Sequence, residues 1–201
     1  MSSGKKLPWA DAFAIASQVA DQLKPVTARL KAAGSLRRQR PEVSDLEMVA
    51  EPLLVPDGFL GDLKRDIEII RATLARMGQI VKSGPRYTQV THLLGHEGVT
   101  LDLFLAYEPA TWGSILAIRT GPRELGQYCV TRMHAFGLRH VDGHIENDRG
   151  RVISTENEID FFNAARIKMV PPNQRDDPQK AYEPIPASDD AVNALREACS
   201  P

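Results

Sequence analysis

The stretch "VTLDLFLAY", positions 99–107, restricts the fold more than any other. Its period is two: Leu101, Leu103 and Leu105 share one face, while Thr100, Asp102 and Phe104 share the other. Three leucines on one side require a sheet whose face is buried. Asp102 is then out of place, unless it lies at a sheet edge or has chemistry to perform.

The other elements follow from the same periodicities. "LPWADAFAIASQVADQLKP" (7–25) predicts an amphipathic helix, with Ala12, Ile15, Ala16, Val19 and Leu23 at helical spacing, Pro8 near its start and Pro25 closing it. "LGDLKRDIEIIRATLARMGQIV" (60–81) predicts a second, on the stripe Leu63, Ile67, Ile70 and Leu74. Strands are read in "VTARLKAAG" (26–34), "DLEMVAEP" (45–52) and "YTQVTHLL" (87–94), the last joined to 99–107 through the hairpin-like "GHEG". After Pro109 come two short helices, "ATWGSILAIRTG" and "PRELGQYCVTRMHAFG", then a small hairpin over "LRHVDGHI" and "GRVIS". "STENEIDFFNAA" predicts a helix with Ser154 or Thr155 as N-cap. The Pro- and Asp-rich stretch from Val170 reads as extended and poorly ordered. The expected fold class is α+β, with domains at 1–108 and 109–177 and a tail over 178–201.

Composition enters only as exclusion. A chain of 201 residues with 42% hydrophobic and 25% charged residues can bury a core. Its net charge of -1 gives no global nucleic-acid signature, so any anion binding must come from local clusters. No long apolar run suggests a membrane span, and no apolar leader follows "MSSGKKLPWADAF". The expected setting is intracellular, with Cys129 and Cys199 as reduced thiols.

Chemistry concentrates in two places. Asp45 and Glu47 share one face of one strand, about 7 Å apart by strand rise. If the strand carrying Asp102 is its neighbour, three carboxylates converge, and they repel unless a cation sits among them. Hard oxygen donors select Mg²⁺ or Mn²⁺, and a pair of such ions suits phosphoryl transfer. Just upstream stands "GSLRR". Gly34 permits close approach of a ligand, Ser35 offers a hydroxyl and an N–H, and Arg37 and Arg38 offer forked donors suited to phosphate. Solvated strand acids and a solvated basic turn are the alternatives for each cluster by itself. The spacing of His140 and His144 could serve zinc, but "HVDGH" reads as a strand and turn with no cysteine nearby.

Taken together, "AGSLRR…SDLEMV", "LDLFL", "RTGPRE", "GLRHVDGHI" and "TENEIDFF…VPPNQR" resemble the nucleotidyltransferase superfamily, and within it family X DNA polymerases. The resemblance spans positions 7 to 175. It implies a nucleotidyltransferase palm, a mixed sheet with flanking helices, followed by a small α+β thumb. The implied activity is transfer of a nucleotide from a dNTP to a DNA 3′-hydroxyl with two Mg²⁺ ions, Mn²⁺ substituting, in gap-filling repair. By resemblance, Asp45 and Glu47 ligate both metals and Asp102 only the catalytic one. Gly34, Ser35, Arg37, Arg38 and Ser44 hold the triphosphate, and Thr120 and Gly121 lie beside the nucleotide's sugar.

Three departures stand out. Ser44 replaces the family's glycine before the first carboxylate. Ile118 and Arg119 replace the aromatic pair before "TG", and Pro122 the serine after it. The family's lyase and fingers domains are not expected, as in its minimal palm-plus-thumb viral members. Grip on DNA would then fall to Lys24, Arg29 and Lys31, and to Arg119, Arg123, Arg132 and Arg139. The expected partners are gapped or primer-template DNA and dNTP, with the protein a monomer in the cytoplasm or on the nucleoid. Two alternatives stay open: a transferase working without a template or on another acceptor, and an inert module that docks DNA ends.

Overall fold

The computed structural model describes residues 5–57, 62–107 and 109–185. The class is α+β with a mixed sheet, and the chain forms two compact units that divide between Tyr107 and Glu108. Among the described residues no helix is long and apolar enough to cross a membrane.

The first unit runs β1 (Leu7–Pro8), α1 (Trp9–Leu23), β2 (Thr27–Ala32), α2 (Gly34–Arg37), β3 (Glu42–Val43) and β4 (Leu46–Pro52). It continues through β5 (Leu54–Asp57), β6 (Asp62–Arg65), α3 (Glu68–Met77), β7 (Gln79–Gly84), β8 (Tyr87–Thr91) and β9 (Thr100–Leu105). Five strands form one sheet in the order β2-β4-β9-β8-β7. β4 and β9 are parallel; every other pair is antiparallel.

Alternation assigns the two faces of this sheet. Leu46, Met48 and Ala50 on β4, Leu101, Leu103 and Leu105 on β9, and Val90 on β8 join Ala12, Ile15, Val19 and Leu23 of α1 and Ile70, Leu74 and Met77 of α3 in one core. A fully buried leucine is worth about 1.5–3 kcal/mol, and β9 alone supplies three. That burial fixes the register, which sends Glu47, Asp102 and Gln89 to the opposite face.

The second helix differs from the sequence expectation. It occupies only Glu68–Met77, and the residues before it form the β5–β6 hairpin. Leu63 fits the helical stripe by spacing, yet it is 61% exposed on β6. The helix begins where it does because Asp66 Oδ1 accepts from the backbone N–H groups of Glu68 and Ile69. It ends at Gly78, where a Cβ would press on the carbonyl oxygen of Thr91, and the chain continues as β7.

The second unit contains α4 (Pro109–Thr120), α5 (Arg123–His134), β10 (Leu138–Val141), β11 (His144–Asn147), β12 (Val152–Ile153), α6 (Glu158–Ala164) and α7 (Pro178–Ala181). Its three strands form an antiparallel sheet, and its core gathers Leu125, Cys129, Met133, Ile145, Phe161 and Phe162. α6 is capped by Asn157 in a reciprocal box with Asp160, not by Ser154 or Thr155. Thr155 is occupied elsewhere: its hydroxyl accepts from the backbone N–H of Ser114 on α4.

The stretch from Val170, read as extended, is anchored to its unit at separate points as far as Ile185. Arg175 is 1% exposed; its Nη1 bonds Glu158 at 2.7 Å, its Nε donates to the Val170 carbonyl at 3.1 Å, and its guanidinium lies over Phe162. Ala181 of α7 is fully buried, and Ile167 bridges Pro184. Residues 186–201 of the expected tail lie outside the described residues, as does Cys199.

Candidate active site

The three carboxylates singled out in the sequence all belong to the first unit. The parallel register pairs Glu47 of β4 directly with Asp102 of β9. Asp45 precedes β4 by one residue. All three side chains are partly exposed. Among the described residues, no three acidic, histidine or cysteine side chains stand close enough to cage an ion. Neighbouring strands lie about 4.8 Å apart, so Glu47 and Asp102 are adjacent across the ladder. The donor set is all hard oxygen, which suits Mg²⁺ or Mn²⁺.

Each carboxylate has its own support. The Ser44 hydroxyl donates to Asp45 Oδ1 at 2.8 Å. Glu47 is packed against Gly34: that glycine has φ +58°, and a Cβ there would overlap Glu47 Oε2. Both observations demand glycine, the first for backbone conformation and the second for space. The backbone N–H of Ala33 also donates to the Glu47 carbonyl at 2.8 Å, tying the approach to α2 onto β4. Asp102 Oδ1 accepts from the Tyr87 hydroxyl at 2.6 Å and from Gln89 Nε2 at 2.9 Å.

The "GSLRR" segment is a single helical turn rather than a loose one. Leu36 drives it into the core at 3% exposure, and the Trp9 indole N–H donates to the Leu36 carbonyl at 2.9 Å. Ser35, Arg37 and Arg38 are then held partly exposed beside β4. Gln39, at φ +58°, turns the chain, and Arg40 N bonds back to the Ser35 carbonyl at 3.0 Å. A cleft of about 420 Å³ opens here, lined by Lys6, Arg40, Pro41, Glu42 and Ser44.

Four of these residues escaped the sequence reading: Lys6, Arg40, Tyr87 and Gln89. Lys6 reaches the cleft because β1 pairs with β3. Tyr87 and Gln89 reach Asp102 because β8 pairs with β9. The hairpin-like "GHEG" marks the second pairing but not its register; nothing local marks the first. Tyr87 opens the strand read over 87–94, as expected, and its bond to Asp102 is what the strand pattern does not show.

Several basic candidates are engaged within their own unit. Arg29 and Arg65 flank Glu51, a carboxylate 5% exposed, so Arg29 serves an internal ion pair. Arg132 Nε donates to the Ala165 carbonyl at 3.0 Å, and its guanidinium lies between Tyr128 and Phe136. Arg139 is the cross-strand partner of Glu146. Lys24 bonds Asp21 at 3.2 Å; Lys31, Arg119 and Arg123 are exposed. Thr120 is buried in the second unit at the end of α4, and Gly121 follows with φ +69°.

The remaining reactive groups serve packing. Burial pushes the Cys129 thiol up to about 12, which removes it as a nucleophile near neutral pH. His140 Nε2 bonds the Ser114 hydroxyl at 2.9 Å, while His144 Nε2 bonds Glu146 Oε1 at 2.7 Å; the two histidines share no ligand geometry. Compared with known proteins, the sequence matches no family model, and no curated protein is significantly similar to it.

Proposed function

We propose that the chain is a nucleotidyltransferase of family X polymerase type, transferring a nucleotide from a dNTP to a DNA 3′-hydroxyl and releasing pyrophosphate. One observation carries this reading: Glu47 and Asp102 sit in parallel register, with the Gly34–Arg38 turn packed onto Glu47. In this reading the first unit is the palm and the second the thumb.

Asp45 and Glu47 would hold both divalent ions, and Asp102 the one beside the attacking hydroxyl. Bound there, two such ions supply Lewis-acid neutralisation of charge on the attacking and leaving oxygens. The chain's own residues do the rest. Ser35, Arg37 and Arg38, with Arg40 at the neighbouring cleft, offer donors to a polyphosphate tail. Asp102 orients the acceptor hydroxyl. Ser44 restrains Asp45, a role that a glycine at this position could not perform. The exposed Arg119 and Arg123 would meet the DNA backbone, whereas Thr120, fully buried, presents no surface to a sugar.

Primer extension on a gapped duplex with Mg²⁺ or Mn²⁺ tests the reading. Extension is expected, and Asp102→Ala should abolish it while leaving the thermal unfolding curve in place. No extension with all four dNTPs, where a control polymerase extends, would overturn it. Extension of a single-stranded primer regardless of template would move the protein to a template-independent transferase. DNA binding with no uptake of nucleotide or metal in calorimetry would make it an inert DNA-binding module.

A further inference from the structure

We propose that Tyr87 and Gln89 are positioning residues that dedicate Asp102 to one of two metal ions, so that this ion's affinity is set separately from the other's. The inference rests on the nucleotidyltransferase reading and goes beyond it, because it assigns a role to two residues on a strand that contributes no carboxylate.

The geometry is specific. Gln89 is the direct cross-strand partner of Asp102, and Tyr87 is the partner of Phe104, two residues further along β9. Gln89 therefore reaches Asp102 straight across, and Tyr87 reaches it diagonally, within the span of a long aromatic side chain. Both donate to the same oxygen, Oδ1, at 2.9 and 2.6 Å. Two donors on one oxygen orient the carboxylate and leave Oδ2 as the oxygen that would be offered to an ion. The donors are themselves fixed. The Tyr87 ring packs on Phe104 with centroids 5.2 Å apart, and Thr88 and Val90, on the opposite face of the same strand, are buried at 1% and 0% exposure.

The supports of the three carboxylates come from different parts of the chain. Ser44 precedes β4 and holds Asp45; Gly34 opens α2 and abuts Glu47; β8 holds Asp102. Loosening one therefore need not loosen the others. Residues that orient a ligand through hydrogen bonds typically change metal affinity about 10–100-fold when removed.

The test counts ions as well as turnover. Wild type, Tyr87→Phe, Gln89→Met and the double variant are titrated with Mn²⁺ in the presence of a non-hydrolysable dNTP analogue, and bound Mn²⁺ is followed by electron paramagnetic resonance. Wild type is expected to bind two ions. The double variant should keep one at unchanged affinity and bind the other about 10–100-fold more weakly. Its kcat should fall with dNTP KM held within about twofold, and added Mn²⁺ should restore kcat. Unchanged binding of both ions in the double variant overturns the proposal. So does equal weakening of both with a lowered melting temperature, which marks a merely structural role. Gln89→Met, which removes one donor and no ring, keeps the test usable if the tyrosine variant folds poorly. If wild type binds no Mn²⁺, the nucleotidyltransferase reading itself fails and takes this inference with it.

Discussion

At the scale of single residues, the site depends on small steric and electrostatic facts. Gly34 illustrates the first: it has a left-handed backbone, and a carboxylate oxygen occupies the place of its missing side chain. Gly34→Ala is expected to cost about 1–3 kcal/mol and to displace Glu47, so transfer activity should fall more steeply than stability. Urea unfolding beside a single-nucleotide incorporation assay measures both; full activity in the alanine variant would refute the contact. His140 illustrates the second. Burial, followed by the charges of His144 and Arg119, holds it below the ordinary imidazole value, against a weaker opposing pull from Asp142. The unfolded chain therefore takes up the proton first. Stability of the second unit is full above about pH 6.5 and is lost as pH falls through the lower folded value. His140→Gln keeps a partner for Ser114 and removes the titration, so the variant's unfolding free energy should lose this dependence between about pH 7.5 and 5. Parallel slopes for the two proteins would count against it.

At the scale of elements, the sequence was legible wherever a period reported a face. β9 and α1 were read correctly, because Leu101, Leu103 and Leu105, and Ala12, Ile15 and Val19, record their own burial. The long helix was overread because Leu63 matches a helical stripe by accident of spacing, while the deciding facts, the Asp66 cap and the Thr91 carbonyl beside Gly78, belong to chain folding and strand pairing. The α6 cap was misplaced for a similar reason. Ser154, Thr155 and Asn157 can all cap, and only the return bond from Asp160 chooses among them. The carboxylates were legible because an acid amid leucines is anomalous; Tyr87 and Gln89 were not, because each is ordinary on a strand. Arg175 entered only as the last letter of "VPPNQR", in a stretch that looks unstructured, yet its ion pair with Glu158 is nearly solvent-free. Glu158→Ala, which leaves the guanidinium buried with its charge uncompensated, is expected to destabilise the second unit by about 3–5 kcal/mol. Replacing both partners by apolar residues should cost far less. Thermal melts of the single and double variants give the comparison, and equal losses would contradict it.

At the scale of the whole molecule, the two cores share no residue: one lies within the first 107 positions, the other after them. A chain ending at Tyr107 has the size of a domain able to fold alone. It is expected to unfold in one cooperative transition and to keep the carboxylate register, checked by circular dichroism and the dispersion of its amide NMR spectrum; a broad, non-cooperative melt would show that the first unit needs the second. Within that unit, core and site are written on alternate letters of the same strands. Same-size substitutions on either set leave the facing of both unchanged. Insertions and deletions behave differently. Removing one residue from "LDLFL" would transpose the two alphabets, burying a carboxylate and exposing leucines in one stroke. This segment should therefore accept many spellings and a single length.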